Sequence, residues 1–200
     1  WIEVSGKDGK KAKIRINRAH QEEDTAKLTH LGAETLIDFN RSGVPLVEIV
    51  TEPDFTDTEQ IRDYAKQLRE IFRNLGVSAA DMEKGDMRLE ANVSVRPVGQ
   101  KTLPNYRVEL KNINSFKFMV LAVEFEIERQ KKALEAGETL HQETRGWNEN
   151  KRETYLQRSK EEANDYRYFP EPDLPSLAVN QALVKKLDQE AKSALPATKI

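Results

Sequence analysis

Two glutamates, Glu90 and Glu109, are the sharpest chemical signal in the 200-residue sequence. From Asp86 to Arg96 the chain alternates, with Met87, Leu89, Ala91, Val93 and Val95 on one face and Arg88, Glu90, Asn92, Ser94 and Arg96 on the other. Beyond the loop Pro97 to Pro104, Tyr106, Val108 and Leu110 alternate with Arg107, Glu109 and Lys111. This reads as a hairpin with one buried and one charged face. A turn centred between Gly99 and Gln100 sets Glu90 opposite Glu109 and Arg88 opposite Lys111. Like charges directly across a strand pair destabilise it by up to about 1 kcal/mol. A divalent cation held between the two carboxylates would offset that cost. The plainer alternative is a solvated face on which each Glu pairs with Arg88, Arg107 or Lys111.

Three other clusters could carry chemistry. His20-Gln21-Glu22-Glu23-Asp24 gathers consecutive oxygen ligands of the kind hard cations prefer, or is simply a solvated acidic loop. Glu48 lies within the apolar run Val47 to Val50, where an unpaired carboxylate is expensive to bury. It either reaches water at a sheet edge or aims at a cation or catalytic centre. Glu52-Pro53-Asp54 after it reads as a turn leading into a helix. The aromatic and charged segment Asp165 to Asp173 suits stacking on a base or sugar, and suits ordinary packing equally well. No Gly-rich phosphate loop and no Ser-His-Asp or Cys-His set with usable spacing is present.

Composition narrows the chemistry further. With no cysteine, disulfides and thiolate metal sites are excluded, so oxygen or imidazole ligands must hold any metal, favouring Mg²⁺, Mn²⁺ or Ca²⁺. Lys+Arg is 32 against Asp+Glu 34, so no overall basic excess advertises a nucleic-acid partner, although a local patch remains possible. No apolar run reaches the roughly 18–20 residues that span a bilayer, which leads us to expect a cytosolic protein without a membrane partner. The abrupt start at Trp1 and the end at Ile200 read as cut ends of a longer chain.

The elements that must position these residues follow from periodicity. Strands are expected at Trp1–Val4, Lys11–Asn17, Thr35–Phe39 and Leu46–Val50, with Arg18 to Thr29 a polar loop. Thr56 and Glu59 have capping-box spacing before a helix that carries Ile61, Tyr64, Leu68, Ile71, Phe72 and Leu75 and stops at Gly76. A second helix is expected from Ser115 to Ala136, strands at Thr139–Arg145 and Glu153–Arg158, and a last helix from Asn180 to Leu195. The order predicts an α+β fold, mainly an antiparallel sheet with helices packed on it.

Several of these segments, taken in order, resemble the GatB/GatE family. They are Arg18 to Asp24; Asp38 to Val50 with Glu52-Pro53-Asp54; Met87 to Arg96; Glu109 to Phe116; and Arg158 to Glu161 running into Asp165 to Leu174. Together they cover nearly the whole chain.

The resemblance implies a cradle-shaped α+β domain over residues 1–178, with its N-terminal part missing, and a linker into a helical region over 179–200. It implies an activity that uses ATP and Mg²⁺ (or Mn²⁺) to phosphorylate the side-chain carboxylate of Glu or Asp misacylated onto tRNA. Ammonia released from glutamine then displaces the phosphate. The implied partners are the amidase (A) subunit, the small (C) subunit and the tRNA, in the bacterial cytoplasm or an organelle matrix. By motif position the implied metal ligands and catalytic acids are Glu23, Glu48, Glu90 and Glu109. Arg88, Lys111 and Asn112, which flank the acids, are the expected phosphate contacts. Two departures stand out: position 90 is often Asp in the family, and its Gly-Leu-Glu-x-His motif is absent from this chain. The expectation is therefore a chain that binds metal weakly by itself and does not turn over. A metal- or RNA-binding scaffold without chemistry is the alternative.

Overall fold

The alternation at Lys11 to Ile14 becomes a strand because Ile14 can be buried against a preceding strand of the same pattern. The computed structural model describes residues 1–159, 175–176 and 178–195. In it β1 (Ile2–Ser5) pairs antiparallel with β2 (Lys11–Ile14), and Ile2, Val4 and Ile14 are buried. The chain divides into two compact units, Trp1–Gln60 and Ile61–Ile200.

The first unit is built of antiparallel pairs. β3 (Ile16–Glu23) pairs with β6 (Pro45–Thr51), and β4 (Lys27–Leu31) with β5 (Glu34–Asp38). The expectation of a loop over Arg18 to Thr29 is therefore corrected. β3 is a full strand whose eight residues are all exposed, so no apolar alternation marks it; its ladder to β6 defines it.

α1 (Thr58–Leu75) begins one residue later than the sequence suggested. Asp57 Oδ1 accepts from the Glu59 and Gln60 amides at 2.8 and 3.1 Å, while Gln60 Oε1 accepts from the Asp57 and Thr56 amides at 3.3 and 2.8 Å. The capping box is Asp57 with Gln60, not Thr56 with Glu59. A charged carboxylate is the stronger acceptor at the positive end of a helix. At the other end Gly76, at φ +69°, lets its own amide reach Arg73 O and the Val77 amide reach Phe72 O.

The second unit carries the sheet. β7 (Leu89–Val93), β8 (Val108–Ile113), β9 (Glu143–Asn148) and β10 (Glu153–Ser159) lie in the order β10-β9-β8-β7. Three strands were expected nearly in place, but β9 sits several residues later than Thr139–Arg145. It pairs parallel with β8 and antiparallel with β10. Between β8 and β9 runs α2 (Phe116–Glu135), capped by Ser115 Oγ on the Phe118 amide at 3.1 Å. α2 packs on β7, β8 and β10, and buries Met119, Ala122 and Val123 against Val93, Val108, Leu110 and Ile113. Trp147 meets Phe125 edge to face at 6.3 Å between centroids. β7 ends early because Tyr106 takes over its backbone: Tyr106 Oη accepts from the Val95 amide at 3.1 Å and lies 3.0 Å from Val95 O.

α3 (Gln181–Ala194) fulfils the last helical expectation and has no buried residue. No helix among the described residues is long and apolar enough to cross a membrane. The segment Asp165 to Asp173, considered above as a stacking surface, lies outside the described residues.

Candidate functional site

The polar face of the second unit's sheet carries the hairpin acids, but not opposite each other. Glu109 pairs with Asn92, Leu110 with Ala91, and Leu89 with Ile113, with a register shift between Leu89 and Ala91. Expecting Glu90 across from Glu109 was wrong, because β8 holds one residue more than β7 over this stretch. The extra residue is accommodated at Asn112, whose φ is +58°. Asn is among the few side chains that tolerate this left-handed backbone. Such a bulge turns both Leu110 and Ile113 into the core and leaves Lys111 beside Glu90.

Lys111 thereby comes to serve both acids. Its Nζ stands 3.4 Å from Glu90 Oε2 and 3.4 Å from Glu109 Oε1. Loss of water opposes its charge, but the two carboxylates outweigh that and raise its pKa. The other oxygen of Glu109 is taken by Thr144, whose hydroxyl donates to Oε2 at 2.9 Å. Arg88 and Asn112 are exposed next to this pair in sequence.

Beneath the sheet a buried ionic network ties α2 to β9. Glu126 is 0% exposed. Arg129 Nη2 donates to Glu126 Oε1 at 2.7 Å and to Glu143 Oε1 at 2.6 Å. Thr154 Oγ1 donates to Glu126 Oε2 at 3.0 Å and accepts from Arg145 Nε at 2.9 Å. Gln130 Nε2 donates to Glu126 Oε1 at 2.8 Å, and its own oxygen lies 3.1 Å from Tyr106 Oη. Two acids and two arginines balance, and every oxygen of Glu126 is occupied, the condition under which buried charge is tolerated. Burial opposes the charge of Arg129, yet Glu126 and Glu143 raise its pKa.

The acids of the first unit are set by the β3–β6 register. His20 pairs with Glu48, Glu22 with Leu46, and Glu23 with Pro45. Directly paired residues share a face, so Arg18, His20 and Glu22 lie with Glu48, whereas Glu23 lies on the opposite face of the ribbon. Arg18 Nη2 holds Glu48 Oε1 at 2.9 Å. Partial loss of water, then a hydrogen bond with Glu48 and its charge, push the Glu22 carboxyl above its ordinary value. Asp24 serves the fold, since Arg41 Nε donates to it at 2.9 Å and its backbone bonds Val44 and Gly43. Asp54 likewise clamps Arg15, accepting from its amide, Nε and Nη2 at 2.9, 2.9 and 2.7 Å. Glu52 accepts from Asn17 at 2.7 Å.

Of the four expected ligands, Glu90 and Glu109 are joined through one cation, while Glu23 and Glu48 are separated by the pleat. Among the described residues, neither unit by itself gathers three His, Cys, Asp or Glu side chains as a metal-binding group. The donors of the hairpin nevertheless suit a hard ion: two carboxylates from neighbouring strands already converge on one positive charge. Reading the sequence placed Glu22 in the candidate ligand loop without choosing it over Glu23, and missed Thr144 and the Glu126 network. Glu126 could have been found as an acid between Phe125 and Ile127 on the apolar helix, with Gln130 four residues on. Thr144 gave no signal, since its role depends on the parallel β8–β9 register.

Residues 1–185 match the model of a family described as the GatB/GatE catalytic domain. The chain is 50% identical over 197 residues to the B subunit of the aspartyl/glutamyl-tRNA(Asn/Gln) amidotransferase of Roseiflexus sp. (strain RS-1), covering 98% of this chain and 39% of that protein. It is 48% identical over 206 residues to the protein of the same name from Thermosipho melanesiensis, covering 100% and 42%. A Synechococcus sp. (strain JA-2-3B'a(2-13)) relative of that name is 47% identical over 189 residues, covering 91% and 38%. The chain thus spans about two fifths of the length of these relatives.

Proposed function

Because the chain belongs to the GatB/GatE catalytic-domain family, we propose that it forms part of the B subunit of a tRNA-dependent amidotransferase, a ligase of protein biosynthesis. The γ-phosphoryl group of ATP passes to the side-chain carboxylate of Glu or Asp carried on tRNA, leaving ADP. Ammonia from glutamine then attacks the acyl carbon, phosphate departs, and Gln-tRNA or Asn-tRNA results. The amidase (A) subunit supplies the ammonia and the small (C) subunit joins the assembly, in the bacterial cytoplasm or an organelle matrix. The match over residues 1–185 supports the activity.

In the first unit, taken by itself, family likeness makes Glu48 and Glu23 the proposed ion ligands; in the second they are Glu90 and Glu109. The observation that carries the assignment is the Lys111 ammonium held 3.4 Å from both hairpin acids, a cation already seated between them. A bound Mg²⁺ or Mn²⁺ would supply charge neutralisation and alignment, which phosphoryl transfer needs more than covalent help. Glu90 and Glu109 hold their charge toward one point. Lys111 keeps its proton through their influence and is the residue for a phosphate oxygen, with Arg88 and Asn112 beside it. Glu23 faces away from Glu48, so Glu22, which shares Glu48's face, is the competing ligand in that unit.

In the assembled enzyme, Glu109→Gln should abolish ATP-dependent amide formation while glutamine hydrolysis persists. Unimpaired amidation would favour a scaffold that binds metal or RNA without chemistry. The 200-residue chain alone should not amidate Glu-tRNA, and turnover by it would contradict the need for the roughly three fifths of the relatives' length that it does not span.

A further inference from the structure

We infer that Thr144 is a positioning residue that sets the direction in which Glu109 presents its carboxylate to a divalent ion. The inference rests on the reading of Glu109 as an ion ligand and adds a residue to it. Thr144 pairs with Glu109 in the parallel β8–β9 register, so the two side chains rise on the same face of the sheet. Its hydroxyl, on a residue only 7% exposed, donates to Glu109 Oε2 at 2.9 Å. Oε1 is then the oxygen turned toward Lys111, at 3.4 Å. An unrestrained glutamate side chain would rotate among several rotamers. Occupying one oxygen with a fixed donor leaves the other aimed at a single place.

The donor is itself held. Its neighbours in β9, Glu143 and Arg145, point into the ionic network: Arg129 Nη2 meets Glu143 Oε1 at 2.6 Å and Arg145 Nη2 meets Thr154 O at 3.0 Å. β9 is thus bound to α2 on one side of the pleat while Thr144 holds Glu109 on the other. The network links the rigid helix to the acid through one hydroxyl. Removing that hydroxyl without changing the side chain's shape isolates its contribution.

The test is Mn²⁺ affinity, measured by electron paramagnetic resonance on the full-length protein in its assembly, for Thr144→Val, Thr144→Ser and Glu109→Gln. Thr144→Val should weaken Mn²⁺ binding by about tenfold, the usual effect of losing an outer-shell hydrogen bond to a metal ligand. Thr144→Ser, which restores the donor, should bind within about twofold of the parent. A merely structural role would move the melting temperature and leave the affinity of the folded protein alone. If Thr144→Val disturbs folding, Thr144→Ala against Thr144→Ser gives the same comparison. Parent-like Mn²⁺ binding by Thr144→Val, with Glu109→Gln impaired, overturns the positioning role alone. Parent-like binding by Glu109→Gln overturns the ligand reading and this inference with it.

Discussion

Asn92, and not Glu90, stands across the hairpin from Glu109. That one-residue offset decides how the charged face works. In the register expected from the turn, two carboxylates would oppose each other and repel. In the observed one, the bulge at Asn112 carries Lys111 between them. The same bulge keeps Leu110 and Ile113, three residues apart, both in the core.

The bulge makes Asn112 a conformational requirement. Asn112→Gly should leave stability unchanged or slightly higher, since glycine adopts φ +58° freely. Asn112→Val should cost about 1–2 kcal/mol, the penalty for a branched side chain in left-handed backbone. Urea unfolding of both variants measures this. Equal stability of the two would mean that the register is not the one described.

The Glu126 network should be among the most sensitive points of the second unit. Glu126→Ala removes the fully buried carboxylate that Arg129 and Arg145 share and leaves two arginines beside Glu143. Breaking such a network from one side costs about 3–5 kcal/mol. Denaturant unfolding should show a loss of that size, and a loss below about 1 kcal/mol would show the network to be dispensable.

Acid should loosen the first unit through Asp54. Its hydrogen bonds from Arg15 hold its pKa below the ordinary 3.8. A carboxyl lowered in the folded state contributes stability that is present above its unfolded pKa and is lost as pH falls through its folded value. The contribution is therefore intact at pH 7 and fades below about pH 4. Hydrogen exchange at the Arg15 amide, which donates to Asp54 at 2.9 Å, should quicken in Asp54→Asn at pH 7. The difference from the parent should shrink as the parent's own carboxyl becomes protonated. A difference independent of pH would assign the effect to packing.

Much of this architecture is legible in the residues, and what is not has physical causes. α2 announces itself through its apolar stripe, its Ser115 cap and Gly137. The hairpin announces itself by strict alternation. β3 is silent because neither of its faces is buried, so the ladder to β6 leaves no hydrophobic period. The register of β7 on β8 is also hidden, although Leu110 and Ile113 with two polar residues between them break the alternation where the bulge lies. Glu23 against Glu22 could not be separated without knowing which residue faces Pro45. Family likeness points to Glu23, while the pleat puts Glu22 with Glu48.

The central claim is that these acids hold a hard divalent ion. It is tested most directly by anomalous diffraction from crystals of the full-length protein soaked with Mn²⁺ and a non-hydrolysable ATP analogue. One peak is expected within about 2.5 Å of carboxylate oxygens of Glu90 and Glu109. A peak bound by other residues, or none while Lys111 still bridges Glu90 and Glu109, would contradict it.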